Sequence, residues 1–132
     1  MPSNAVALDS SVLIEHFRMK NKDNSFLSCL MSKFEELCIS PIVLYEILIG
    51  QRESHADLTT ILEELTVLTF DKRNVVKAAT IHQALKKKNK IIDHFDILIA
   101  ATAIAHDLPL ATLNRKHFER IEGLILLDNE RI

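Results

Sequence analysis

A wholly apolar run of four residues, Ala5-Val6-Ala7-Leu8, stops at Asp9-Ser10-Ser11, and apolar residues then recur at helical spacing. The run reads as a buried strand and Asp9-Ser10-Ser11 as a helix N-cap region, with Val12, Leu13, Glu15, His16 and Phe17 on the helix beyond. The alternation continues along the chain. After a polar break at Asn21 to Asn24, the spacing of Phe26, Leu27, Leu30, Met31, Phe34 and Leu37 predicts a second helix. Cys38-Ile39-Ser40 reads as a short strand stopped by Pro41. Ile42 to Ile49 reads as a helix closing at Gly50. Leu58, Ile61, Leu62 and Leu65 mark an amphipathic helix, followed by the β-rich Thr66-Val67-Leu68-Thr69-Phe70. Val75 to Lys88 predicts a helix whose lysines suit its C-terminus. Asp93 opens another helix through Ala105, and Pro109-Leu110-Ala111-Thr112 and Leu124-Ile125-Leu126-Leu127 are the last strand candidates. Strands alternating with helices predict an α/β fold: a three-layer α/β/α sandwich around a mainly parallel sheet of four or five short strands.

Length and composition narrow the function classes. The 132 residues predict a single domain, 1–132, with enough apolar content for one core. The chain's two glycines, Gly50 and Gly123, lie far apart, which excludes both the dinucleotide-binding and the Walker-A glycine loops. Sixteen Lys and Arg against 18 Asp and Glu give a net charge of −2, so any contact with nucleic acid must be local. Cys29 and Cys38 form neither a CxxC pair nor a disulfide framework. The longest apolar stretch, Ile97 to Ala105, is about half a membrane span. Met1-Pro2-Ser3-Asn4 lacks a basic leader. These features predict a cytoplasmic protein with no membrane segment.

Three acids stand in apolar surroundings: Asp9 after Val6-Ala7-Leu8, Glu46 within Leu44-Tyr45-Glu46-Ile47, and Asp96 before Ile97-Leu98-Ile99. Ionised carboxylates are rarely buried unless they are paired or bind a metal, and none of these flanks offers a Lys or Arg. Two carboxylates ~5 Å apart repel by roughly 3 kcal/mol at an effective dielectric of ~20, and a divalent cation between them removes that cost. Separate structural roles are available to each. Asp9 can cap the following helix, Asp93 and Asp96 resemble a capping box, and Glu46 can bond a backbone group. One shared site replaces three explanations, and ligands of doubly wound sheets sit at the carboxyl ends of strands, where Asp9 lies.

Four segments in order carry a resemblance over nearly the whole chain: Leu8-Asp9-Ser10-Ser11-Val12-Leu13-Ile14, Ser40-Pro41-Ile42-Val43-Leu44-Tyr45-Glu46-Ile47 with Gly50, Asp96-Ile97-Leu98-Ile99-Ala100-Ala101-Thr102-Ala103, and Thr112 through Ile121 with Gly123-Leu124. In these the sequence resembles the PIN domain family, specifically the VapC-type toxins of bacterial toxin–antitoxin pairs. The resemblance implies a PIN-like sheet and a ribonuclease whose acids bind Mg²⁺ (or Mn²⁺) and activate water against an RNA phosphodiester. It implies a cognate antitoxin as partner, and a homodimer for which Phe26, Leu30, Met31 and Phe34 offer an apolar face. Asp9, Glu46 and Asp96 match the family's acids and are the expected catalytic and metal-binding residues. Ser11 matches a small polar supporting residue, and Asn114 lies where the family carries Asn, Asp or Ser. Where similar members place a further acid before the phenylalanine, this chain has His117.

The metal would supply the positive charge that the protein as a whole lacks. Arg115 and Lys116, with Lys20, Lys22 and the run Lys86 to Lys90, are candidates for holding the flanking RNA, although a solvated helix end also explains the run. His16, His55, His82 and His106 show no zinc-binding spacing. No Gly-x-Ser-x-Gly elbow exists. The rival reading is a PIN-like interaction module that binds a protein or RNA without cleavage, and His117 is the feature that keeps it open.

Overall fold

The computed structural model describes residues 4–50 and 55–129. The leader reading at Met1-Pro2-Ser3 and the side chain of His55 lie outside the described residues. In chain order the elements are β1 (Ala5–Leu8), α1 (Ser10–Arg18), α2 (Phe26–Lys33), β2 (Glu36–Ile39), α3 (Pro41–Gly50), α4 (His55–Glu64), β3 (Leu65–Val67), α5 (Lys72–Lys87), α6 (His94–Ala105), β4 (Leu110–Ala111) and β5 (Leu126–Leu127). The strands form one sheet in the order β3-β2-β1-β4-β5, and every pairing is parallel. Helices cover the sheet, with α1 against α2 and α3 and with α5 against α6. The expected central parallel sheet is present.

The central strand explains its own composition. All four residues of β1 are buried, as a parallel strand covered on both faces requires. Chain order reverses at this strand, because β2 lies on one side of it and β4 on the other. Leu8 stands opposite Ala111 in the β1–β4 register, and the Asp9 amide donates to the Ala111 carbonyl at 2.9 Å. Asp9 and Thr112 therefore leave the sheet side by side at the switch point, where ligands of such folds bind.

Two helix ends differ from the periodic reading. Leu37 lies in β2, because Phe34 already has the extended backbone (φ −120°, ψ 142°) that ends α2. Leu65 opens β3 in place of closing α4, so the strand is Leu65–Val67 and ends before Leu68. In both places a buried strand residue happens to fall on the helical spacing. Pro41 both stops β2 and starts α3, where its missing N–H costs nothing.

The α2 face expected to support a homodimer is core. Phe26 and Leu30 are 4% and 0% exposed, and Met31 and Phe34 pack against the same cluster. A dimer cannot be built on Phe26 and Leu30 without unfolding α2. Apolar side chains that do face outward include Tyr45, Leu48 and Ile49 on α3, and Phe95 of α6 meets Tyr45 edge to face at 6.1 Å.

Candidate active site

Asp9 occupies the N-cap position of α1, yet its side chain does not cap the helix. Its Oδ2 accepts from Ser11 Oγ at 2.7 Å and from Thr112 Oγ1 at 2.9 Å, in a residue only 3% exposed. Each hydroxyl is itself held by a backbone amide. Leu113 N–H donates to Ser11 Oγ at 3.0 Å, and Asn114 N–H donates to Thr112 Oγ1 at 2.9 Å. With those lone pairs occupied, both hydroxyl protons are directed at the carboxylate. The loop after β1 and the loop after β4 thus lock one another and fix the Asp9 carboxylate.

Glu46 and Asp96 approach from helices. Glu46, midway along α3, has a carboxyl raised above its usual range, chiefly by burial. A hydrogen bond from Ser10 opposes that rise, and the charges of Asp9, Asp96 and Asp93 add to it. Its Oε1 is buried without a hydrogen-bond partner. Asp96, in the first turn of α6, is pushed up to about 6, first by burial and next by the charge of Asp9, with His117 working in the other direction. Glu46 therefore feels the charges of Asp9 and Asp96, and Asp96 feels that of Asp9. Asp93 does cap α6, its Oδ2 accepting from Phe95 N–H at 3.0 Å, while Asp96 turns to His117.

His117 faces this site. Its Nδ1 lies 3.2 Å from Asp96 Oδ2, while its side chain remains 56% exposed. Among the described residues no group of three or more Asp, Glu, His or Cys side chains stands close enough together to hold a metal ion by itself. Mg²⁺ does not require such a group, because it keeps several waters and takes one or two carboxylates. The donor set consists of hard anionic oxygens, one of them buried without a partner, and these residues fit such an ion.

The supporting candidates divide. Ser11 bonds Asp9 directly. Asn114 takes part through its backbone amide, and its exposed side chain caps nothing. Arg115 lies toward Asp128, with nitrogen and oxygen 3.6 Å apart, so it is not a free cation beside the site. Lys116 is exposed. Lys22 is structural, because its Nζ donates to the carbonyls of His16, Phe17 and Met19 at the end of α1.

Thr112 escaped the sequence reading as a site residue. The available signal was a hydroxyl at the carboxyl end of a strand, in the same setting as the Asp9-Ser10-Ser11 end of β1. Replacing it, as Thr112→Val, removes one donor from Asp9 and leaves the Asn114 amide without its acceptor. Loss of such support for a ligand is expected to lower metal affinity or activity by about 10–100-fold. Cleavage assays on the purified variant check this.

A family model described as PIN domain matches residues 6–124. Ribonuclease VapC1 of Rickettsia felis is 36% identical over 129 residues, covering 91% of this chain and 92% of the relative. Ribonuclease VapC1 of Methanocaldococcus jannaschii is 33% identical over 130 residues, covering 93% and 87%. Among solved structures, the fold is similar to that of DNA-bound VapBC from Salmonella typhimurium, with a TM-score of 0.81 and 27% identity over 96% of this chain and 98% of that one.

Proposed function

The chain belongs to the PIN domain family, and from that premise we propose that Asp9, Glu46 and Asp96 hold a divalent cation, Mg²⁺ or Mn²⁺, with which this ribonuclease cleaves RNA. The chain is the toxin half of a toxin–antitoxin pair, and its partners are RNA and a cognate antitoxin. Its hydrolase chemistry follows from its relatives. The observation that carries the metal reading is the Glu46 Oε1 atom, buried without a partner beside two further carboxylates whose charges it feels.

A bound divalent ion would neutralise charge building on the phosphate and make a water molecule more acidic. Asp9 contributes a carboxylate whose position is fixed from two loops, so little reorganisation is needed to bind. Glu46 contributes an oxygen that has no hydrogen-bond partner among the described residues. Asp96 contributes a carboxylate whose ionisation His117 favours. No described helix is long and apolar enough to cross a membrane.

Incubation of the purified protein with structured RNA and Mg²⁺ or Mn²⁺ tests the reading. Cleavage is expected, and it should stop with EDTA and in Glu46→Gln. RNA bound and never cut under all these conditions would return the protein to the interaction-module reading. His117 sets a second expectation. Imidazole is a poor partner for Mg²⁺ and a better one for transition metals, so Mn²⁺ should support the greater activity. His117→Asp should raise Mg²⁺-dependent cleavage and narrow the Mn²⁺ preference, whereas an unchanged metal profile would make the histidine a bystander.

A further inference from the structure

The charge of this protein is unevenly placed. Residues 72–90 hold seven of the 16 Lys and Arg and none of the 18 Asp and Glu, leaving nine basic against 18 acidic residues elsewhere. A cavity of about 190 Å³ opens along this segment, between α5 and the turn of residues 118–123. Its floor is apolar, formed by Ile81, Ala84, Leu85 and Ile121, and its rim carries Lys77, Lys88 and Arg120. Lys88 pairs with Glu122 at 2.9 Å, but both side chains are exposed, and such a pair yields readily to a stronger anion. No ion-pair partner of Lys77 or Arg120 is found among the described residues.

The cavity is rigidly connected to the acidic site. Phe118 and Ile121 are 0% and 5% exposed, and they pin the turn that displays Arg120. Arg120 follows His117 by three residues, so the two Cα atoms lie within about 11 Å of each other. From Lys77 to Lys88 the rim runs about 16 Å along the helix. The acidic site, by contrast, gathers the carboxylates of Asp9, Glu46, Asp93 and Asp96, which repel a polyanion. Binding energy for RNA must therefore be found beside the site.

We propose that the groove lined by Lys77, Lys88 and Arg120 is a docking track for the phosphate backbone of the RNA substrate, its apolar floor accepting a nucleobase. This rests on the ribonuclease reading above and adds to it where the strand lies. An acidic protein segment shares the charge, but it gains nothing from the nearness of Arg120 to the acidic site, where a strand to be cut must reach.

The test is RNA binding by fluorescence anisotropy in EDTA, where cleavage is off, across a salt series. The Lys77→Ala/Arg120→Ala variant is compared with Lys33→Glu, which makes the same net-charge change of two at an exposed site at the end of α2. Thermal melts establish that both variants fold. At ~0.1 M salt the track variant should bind at least about tenfold more weakly. Its salt dependence should flatten by about 1.4, because two phosphates of a single strand are no longer neutralised. The control should stay within about twofold of the wild type. Equal weakening in both variants, or none in either, would overturn the track while leaving the wild type's Mg²⁺-dependent cleavage to support the ribonuclease reading. Displacement of the RNA by poly-glutamate as readily as by unlabelled RNA would reassign the groove to an acidic protein segment. A wild type that neither binds nor cleaves RNA overturns both readings together.

Discussion

Asp9→Asn is expected to lower RNA cleavage by about 10²–10³-fold, the scale on which preorganised charge stabilisation acts at a transition state. The residue is 3% exposed and receives two hydroxyl donors on one oxygen. The amide keeps the size and one acceptor oxygen but removes the negative charge. Folding should survive, because the backbone bond from Asp9 N–H to Ala111 and the β1–β4 register do not depend on that charge. Single-turnover cleavage assays with circular dichroism alongside separate the two effects. Full activity in a folded Asp9→Asn would remove Asp9 from the chemistry.

The second large effect is on pH. Asp96 is pushed up to about 6, so protons compete with metal for its carboxylate in the mildly acidic range, and Glu46 is raised in the same direction. At pH 5 a carboxyl at about 6 is roughly nine-tenths protonated, so metal affinity should fall about tenfold from that group alone between pH 7 and pH 5. Activity should fall more steeply than affinity, because the attacking water must also lose a proton. Stability of the metal-free protein runs the opposite way. An acid whose folded pKa is raised stabilises the fold when protonated, and that contribution is lost as pH rises from about 4 through about 6. Asp96→Asn, which cannot ionise, should therefore melt roughly 2–5 °C above the wild type at pH 7.5 without metal. Titrations of Mn²⁺ at several pH values and melts in EDTA measure the two signs separately.

The strand–helix alternation was legible because each element carries its own local signature, down to Pro41 ending β2 and starting α3. The three acids were legible because apolar flanks without a cation leave an ionised side chain unexplained. What local pattern could not supply was pairing between loops about 100 residues apart. The Thr112 hydroxyl on Asp9, and the Leu113 and Asn114 amides behind the two hydroxyls, exist only once β4 lies beside β1. The orientation of His117 toward Asp96 depends on the same closure. Periodicity likewise marks an apolar face without saying what covers it, so the α2 stripe read as a docking face is core. Lys22 was similarly a cation whose role as a cap for α1 became visible only with the chain folded around it.

Calorimetric titration of Mn²⁺ into the wild type and into Glu46→Gln, Asp96→Asn and the triple variant with Asp9→Asn tests the shared metal site most directly. Each single change should weaken binding at least about tenfold, as loss of an anionic oxygen ligand from one ion implies, and the triple variant should bind nothing at the site. Wild-type affinity retained in the triple variant would contradict the account, because the cation would then be bound elsewhere.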